Sequence, residues 1–507
     1  MDLQTATIEW RRLFPNTQSY ANPKQLTDEI ASFFLSTITP TGQADLRPIN
    51  LLCKLSESSN PELAESATES LYNTIIEKLC DDFSTQGINA ANQVLVRMLF
   101  NVRDTKRGEQ LKQLLATLGI CHQSNLLDRY ERLRHPTPIG IAQRCKVRKI
   151  ILLSRVTIGA DVVILGVLTR RLREAFPAAE LVLIGPAHLE EILHGLPTTR
   201  FHCFEYRRFG AMPDKICVWP LIYDIVQDER SGYLNDELLL FDPDTRLTQL
   251  GLLPLIEEVS TYYFDSRREP GNGNESSLAV LVNQWLDIIL PGTFFCNPTL
   301  LFKDETLQAA QTFIAGLPAS SLLIIINLGV GRNENKRIPE PFETELLLSL
   351  LTRKDTLILL DSGSAAESLM RVKRLLATVQ QRSVPTEFFS EKELSTKTIP
   401  FNHGVVGFKG SIGSIGALIS KAHGFIGYDS SCQHIAAAVG TPSVIAFAGA
   451  PNQRFQERWR PFSPAGTSQT FMIENIAALD PEAIHLLAQQ MTVDLHALIK
   501  KTGELRK

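Results

Sequence analysis

A change of texture at Lys149 restricts the fold more than any other feature of this chain. From there, short apolar runs alternate with amphipathic helical stretches. Parallel sheets built from βαβ units produce this pattern, because strands covered on both faces need continuous apolar side chains. "KIILLSR" (149–155) reads as a buried strand, "ADVVILGVLTRRLREAF" as a helix, and "AELVLIG" and "DKICVWP" as further strands. The signal fades beyond Pro254, and "REPGNGNESS" (268–277) reads as a flexible loop. It restarts with "SLLIIINLG" (321–329), then the strands "DTLILLDSG", "GVVGF", "GFIGYD" and "SVIAFAG", each joined to the next by a helical pattern. Two successive α/β halves predict two Rossmann-like domains facing one another. Ligands of such sheets bind beyond the carboxyl ends of the strands, so the residues after each apolar run are the informative ones.

The first 140 residues behave differently. "PKQLTDEIASFFLSTI", "PELAESATESLYNTIIEKLCDDF" and "AANQVLVRMLFNV" carry apolar residues at three- and four-residue intervals, which predicts an all-α region. The expected division is 1–140 helical, 147–300 first Rossmann-like domain, 304–475 second, and 476–507 a closing helical segment, with Asp480 as N-cap and Pro481 at the first helical position. In that reading the closing segment crosses back to the first half. A chain of 507 residues is too long for one core, in keeping with such a division.

Charge and cysteine usage exclude some classes. A formal net charge of −4 argues against a protein whose task is to grip nucleic acid. The eight cysteines are scattered singly, with no Cys-x-x-Cys pair, which suits buried thiols in a reducing cytoplasm. No secretory signal pattern opens the sequence, and no apolar run approaches the roughly 18 residues needed to cross a bilayer. A cytoplasmic protein is expected, with peripheral contact at the inner face of a membrane left open.

At the strand ends the candidates accumulate. In "GFIGYDSSCQHIAAAVGTPSVIAF" (424–447) the turn Asp429-Ser430-Ser431 joins a strand to a small-residue helix that stops at Gly440. Serine oxygens cap helices there, and the free N–H groups of a helix start attract anions. After the 321–329 strand, "NLGVGRNENKRIPEPF" offers Gly329, Gly331, Arg332, Lys336 and Arg337, the flexible backbone and cations that a diphosphate needs. Asp361, Ser364 and Glu367 follow "LILLDSG" and could accept hydrogen bonds from a nucleoside. "SRVTIGAD" puts Gly159 and Asp161 at the first strand-to-helix turn. Asp242-Pro243-Asp244 has the form of a metal-binding Asp-x-Asp but reads as a turn; Cys432 reads as space-filling, and Trp459 as packing a return segment onto the core.

These segments resemble family 9 glycosyltransferases, the heptosyltransferase-like enzymes. The likeness is carried by "IGYDSSCQHIAAAVGTPSVIAFAGAPNQRFQERWRPF", by "SIGSIGALISKAHGF", by "NLGVGRNENKRIP", and by "KIILLSRVTIGADVVILGVLTRRLREAFPAAELVLIG", over roughly residues 147–490. It implies a GT-B fold, preceded here by the all-α region, and inverting, metal-independent transfer of a sugar from a nucleotide-diphosphate donor, with ADP-heptose one candidate. By the same resemblance Asp161 is the general base and Lys336 stabilises the leaving diphosphate. Gly329, Gly331, Asp429, Ser430, Ser431 and His434 hold the donor, and Glu367 is the acidic nucleoside contact. No cofactor is implied; the partners are the nucleotide-sugar donor and a glycan, lipopolysaccharide-core or protein acceptor. The chain departs from the family pattern in Gly159-Ala160-Asp161, one residue longer than the usual Gly-Asp, and in Ser431, where the family has glycine. Those departures admit an inactive or retuned enzyme; the alternative readings are a degenerate transferase core used for binding or scaffolding, a protein-modifying glycosyltransferase, and a nucleotide-sugar epimerase.

Overall fold

The computed structural model describes residues 1–15, 20–195, 199–206, 211–267, 277–319, 321–331, 333–363, 365–463 and 466–505. Among these residues twelve strands form two wholly parallel sheets. The first contains β1 (Lys149–Leu153), β2 (Glu180–Gly185), β3 (Thr199–Cys203), β4 (Leu238–Asp242) and β5 (Thr261–Tyr263), in the order β3-β2-β1-β4-β5. The second contains β6 (Leu322–Asn327), β7 (Thr356–Asp361), β8 (Thr386–Ser390), β9 (Gly404–Lys409), β10 (Gly424–Tyr428), β11 (Ser443–Ala448) and β12 (Ser468–Ile473), in the order β12-β11-β10-β6-β7-β9-β8. In each sheet the strand order reverses beside the first strand, between β1 and β4 and between β6 and β10, which opens a crevice at the carboxyl ends there.

Central strands are apolar throughout. β1, β4, β6, β7, β10 and β11 are buried at every position. Edge strands β3, β8 and β12 are partly exposed and polar ("TRFHC", "TEFFS", "SQTFMI"). "DKICVWP", expected as a strand, is helical: its residues fall in the helices Met212–Ile216 and Val218–Arg230. A short apolar run cannot by itself distinguish a strand from a buried helix face, and here Ile216 and Trp219 are buried from helices. The 268–277 loop lies outside the described residues except for Ser277.

The helical region is fused to the first sheet. One apolar cluster runs from Trp10, Phe34 and Leu99 into Ile151, Val182 and Leu240, so these helices cover one face of that sheet. The closing helix Pro481–Leu505 does not pack back on the first half as expected. Its Ile484, Ala488, Met491 and Leu495 belong to the core of the second half, and it lies against the Glu340–Leu350 helix and strands β10, β11 and β12.

Candidate active site

The turn after β10 is built as its sequence suggests. The Ser431–Ala438 helix ends in a Schellman motif, with Gly440 at φ 72°, Gly440 N–H donating to Ala437 O (3.2 Å) and Thr441 N–H to Ala436 O (2.9 Å). At the other end, Ser430 occupies the N-cap without capping. Its hydroxyl turns instead to Asn327 Oδ1 at the end of β6, 3.2 Å away, so no side chain takes the first N–H groups of the helix.

Asp429 is buried and is held by two groups. Lys336 forms an ion pair with its Oδ2, and Gln433 Nε2 donates to Oδ1 at 2.5 Å. Burial raises the Asp429 carboxyl above its ordinary value, while Lys336 and Gln433 oppose that rise. Lys336 ends a short 3₁₀ turn, Glu334–Lys336, started by the Asn333 side chain, and its ammonium stands 5.2 Å from the centroid of Phe455. The loop after β11 supports that turn. Gly449 has φ 63°, and a Cβ on it would fall 2.0 Å from Asn335 O, so only glycine lets the two loops approach.

Around this pair three buried polar atoms have no hydrogen-bond partner among the described residues: Gln433 Oε1, His434 Nδ1 and Trp459 Nε1. His434 is 4% exposed, with its ring centroid 6.0 Å from that of Trp459. Burial, with the nearby Lys336 charge adding, pushes its pKa down to about 3, so the ring is neutral at physiological pH. Cys432 is buried and its thiol is raised well above the ordinary value, as suits packing rather than nucleophilic use.

A second crevice lies between β6 and β7. A small cavity of about 40 Å³ is lined by Asn327, Gly329, Asp361, Gly363, Ser368 and Arg371, among others. Burial lifts Asp361 to about 6, opposed by hydrogen bonds from Gly363 N–H and Asn327 Nδ2, the latter at 2.6 Å. Gly331 has φ 64°. Glu367, in the first turn of the Ala366–Gln380 helix, is exposed and does not line the cavity. Arg332 and Ser364 lie outside the described residues. Arg337 is committed to Glu334 and to Leu328 O.

On the facing half, Asp161 is fully buried. Its Oδ2 accepts from Ser154 Oγ (2.8 Å) and lies 2.7 Å from His188 Nε2, while Oδ1 accepts from Arg155 N–H (2.7 Å). In this conformation the carboxylate is 0% exposed, so an acceptor hydroxyl reaches it only after a local rearrangement. The helix after Asp161 begins as a π-helical stretch, Asp161–Leu165, a geometry that accommodates one additional residue per turn. It offers a place to absorb Ala160. Gly159 packs on the other half: a Cβ there would lie 3.1 Å from His434 Cδ2. Asp242 and Asp244 are occupied by the protein itself, Asp242 by Thr245 N–H and Thr248 Oγ1 and Asp244 by Arg155, Tyr263, Ser266 and Arg267.

The structure therefore brings Lys336, Asp429, Ser430, Ser431 and His434 around one helix start, with Gly159 against it, and leaves Glu367 apart. It adds Asn327, Phe455 and His188, which were not among the residues expected from the sequence. Asn327 opens "NLGVGRNENKRIP" and Phe455 lies within "APNQRFQERWRPF", whereas His188 has only its position shortly after a strand.

Residues 297–479 match the model of glycosyltransferase family 9 (heptosyltransferase). The chain is heptosyltransferase-like there, over the second sheet and its helices, less than half of its length. No curated protein matches the sequence. Among solved structures, a family 9 glycosyl transferase from Veillonella parvula DSM 2008 has a TM-score of 0.51 at 14% identity, covering 72% of this chain and 100% of that one. ADP-heptose LPS heptosyltransferase II of E. coli gives 0.46 at 14% identity over 70% and 99%, and E. coli heptosyltransferase WaaC with ADP gives 0.43 at 14% over 68% and 99%. At such identities the likeness is one of fold. That fold is GT-B, two facing Rossmann-like domains, here with a helical region in front.

Proposed function

We propose that this heptosyltransferase-like protein is an inverting, metal-independent glycosyltransferase that passes a sugar, heptose being one candidate, from a nucleotide-diphosphate donor to a hydroxyl of a glycan, lipopolysaccharide-core or protein acceptor. The observation that carries the reading is the Lys336–Asp429 pair at an uncapped helix start, ringed by the unpartnered buried atoms of Gln433, His434 and Trp459. A diphosphate arriving there would draw Lys336 from Asp429 and meet the free N–H groups of the Ser431–Ala438 helix. Sugar hydroxyls would satisfy the orphaned atoms, whose burial without partners otherwise costs stability. As the bond to the sugar breaks, negative charge grows on the diphosphate, and Lys336 and the helix start neutralise it where it develops. Asp361, beside Asn327 and Gly329, would meet the nucleoside at the rim of that crevice, since the cavity of about 40 Å³ there is too small to enclose it.

Calorimetric titration of the purified protein with ADP, UDP and GDP tests the reading. One nucleotide is expected to bind, and Lys336→Ala is expected to abolish that binding. A folded protein that binds none of the three would overturn the transferase reading in favour of a degenerate core used as a scaffold.

A further inference from the structure

The three partners of the Asp161 carboxylate differ in how they are held. Ser154 Oγ and Arg155 N–H belong to the β1 turn itself, 2.8 and 2.7 Å away. Neither can leave without unmaking that turn: the Ser154 hydroxyl also accepts from Val156 N–H at 2.8 Å, and Ser154 O accepts from Thr245 Oγ1 in the loop after β4. His188 is different. It stands just beyond β2, its Nε2 lies 2.7 Å from Asp161 Oδ2, and its ring makes no other hydrogen bond among the described residues. The imidazole side chain is 13% exposed and the carboxylate 0%, so the ring is the partner that faces outward.

The short helix that carries this ring, His188–Ile192, is tied to the other half of the molecule. Glu191 Oε2 accepts from Gly413 N–H (2.8 Å) at the start of the Ile412–Lys421 helix, and Glu190 pairs with Lys303 (3.1 Å). Ile192 O accepts from Leu301 N–H (2.8 Å). The backbone is thus pinned by the second half and by the segment leading to it. Rotation of the His188 side chain, rather than movement of its helix, is the smallest motion that uncovers Asp161. Gly159, on the same turn as Asp161, packs on His434 of the donor seat, so the covered carboxylate belongs to a turn that borders the donor.

We propose that His188 is a positioning residue that keeps Asp161, the general base, covered against water and yields it to the acceptor. The assignment rests on the glycosyl-transfer reading above and on the role that the family resemblance implies for Asp161. With the ring in place water finds the carboxylate covered, and the bound donor is kept from hydrolysis. Binding of the correct acceptor supplies the energy to turn the ring aside, which a lone water molecule cannot. The acceptor hydroxyl then takes the place of Nε2 at Asp161 Oδ2. Its proton passes to the carboxylate as its oxygen bonds to the anomeric carbon. The bond from that carbon to the diphosphate oxygen breaks at the same time, and the nucleoside diphosphate leaves with the electron pair. Ser154 and Arg155 hold Asp161 in place throughout.

The test uses the full chain with ADP-heptose, ADP-glucose, UDP-glucose and GDP-mannose and no added acceptor. It reads release of nucleoside diphosphate and free sugar, with binding of ADP, UDP and GDP followed by calorimetry. His188→Ala is expected to raise release about tenfold or more, part of what a positioned base supplies, and to leave the Kd of the nucleotide within about threefold. His188→Gln, which can return an amide N–H to Oδ2, is expected to bring release back toward the parent. Adding Asp161→Asn to His188→Ala is expected to abolish the gain, since the uncovered group is then no base. A ring that only held the fold together would lower the melting temperature without raising release. A His188→Ala protein that binds nucleotide and releases it from the donors no faster than the parent therefore overturns the proposal, and so does a gain that survives Asp161→Asn. Parent and variants that bind a nucleotide yet release none from any donor overturn it too, and leave the donor seat standing. If none of them binds any nucleotide, the glycosyl-transfer reading falls and takes this role of His188 with it.

Discussion

After β1 a buried aspartate, Asp161, is held by Ser154 Oγ, Arg155 N–H and His188; after β10 a buried aspartate, Asp429, is held by Lys336 and Gln433. The first set is largely local, with Ser154 and Arg155 seven and six residues away. Those two bonds form whenever the β1 turn forms. The main partner of Asp429 lies 93 residues away on another loop and carries a full charge. A diphosphate offers that ammonium a better partner, so this pair can open. On the proposed reading, the carboxylate after β1 holds its turn, and the one after β10 keeps a cation in place until an anion arrives.

The contrast breaks first at Lys336. Lys336→Ala removes the exchangeable partner and should weaken nucleotide binding by about 10²-fold or more, about 3 kcal/mol. Calorimetry with the nucleotide that the parent binds measures this directly, and unchanged affinity would mean that Asp429 and Lys336 are as static as the β1 turn. Phe83→Ala comes next. Removing a buried ring from the Phe83, Phe447 and Phe455 cluster costs about 3 kcal/mol, and alanine keeps the Cβ that strains the left-handed backbone, so a loss of about 3 kcal/mol should appear in urea unfolding. Phe83→Gly, which removes that Cβ and returns about 1 kcal/mol, should unfold no more easily than Phe83→Ala despite its smaller side chain. Asp161→Ala should cost a similar or smaller amount, about 1 to 2 kcal/mol, because it strips the buried Ser154 and Arg155 groups of their acceptor. The readout is again the unfolding midpoint, with nucleotide affinity unchanged. An affinity loss without a stability loss would reverse the roles given to the two turns.

How much of this was legible follows from where each residue lies. The strands at the centre of each sheet, β1, β6, β7, β10 and β11, announce themselves because both faces are covered. Edge strands β3, β8 and β12 do not, since water on one side removes the need for apolar side chains, and β5 is only three residues long. "DKICVWP" has the composition of a strand and the packing of a helix, a distinction set by neighbours that the segment itself does not encode. Lys336, Asp429, Ser430, Ser431 and His434 were readable because each stands just beyond an apolar run or within a motif that follows one. The contact of the helical region with the second half was not. The turn after Asp81 joins Asn452 across 371 residues of sequence, and nothing local to "CDDF" marks a surface that reaches a distant sheet. The same holds for the contact of Gly159 with His434, which exists only once both halves are folded and apposed.

The smallest effect tests that apposition. His434 is neutral in the fold, with its pKa pushed to about 3 by burial and by Lys336, whereas in the unfolded chain it titrates near its ordinary value of 6.5. Below 6.5 the unfolded state takes up a proton that the folded state refuses, so this contribution to stability is complete above about pH 6.5 and is lost as pH falls toward 3. Asp81, which ends the Lys78–Asp81 helix of the helical region and which burial and Glu77 raise to about 7, acts with the opposite sign over much of the same window, because its folded state holds the proton that the unfolded state releases. Comparing the parent with His434→Gln isolates the histidine. Between pH 7.5 and 5.5 the parent should lose about 1 kcal/mol more than the variant in denaturant titrations. If the two Rossmann-like halves part in solution, Gly159 withdraws from the ring, water enters, the His434 pKa returns toward 6.5 and the difference between the two proteins disappears. A full difference without nucleotide therefore means that the cleft is closed before the donor binds. A difference that appears only with nucleotide present would mean that exchange of Lys336 from Asp429 to the diphosphate is what brings the halves together.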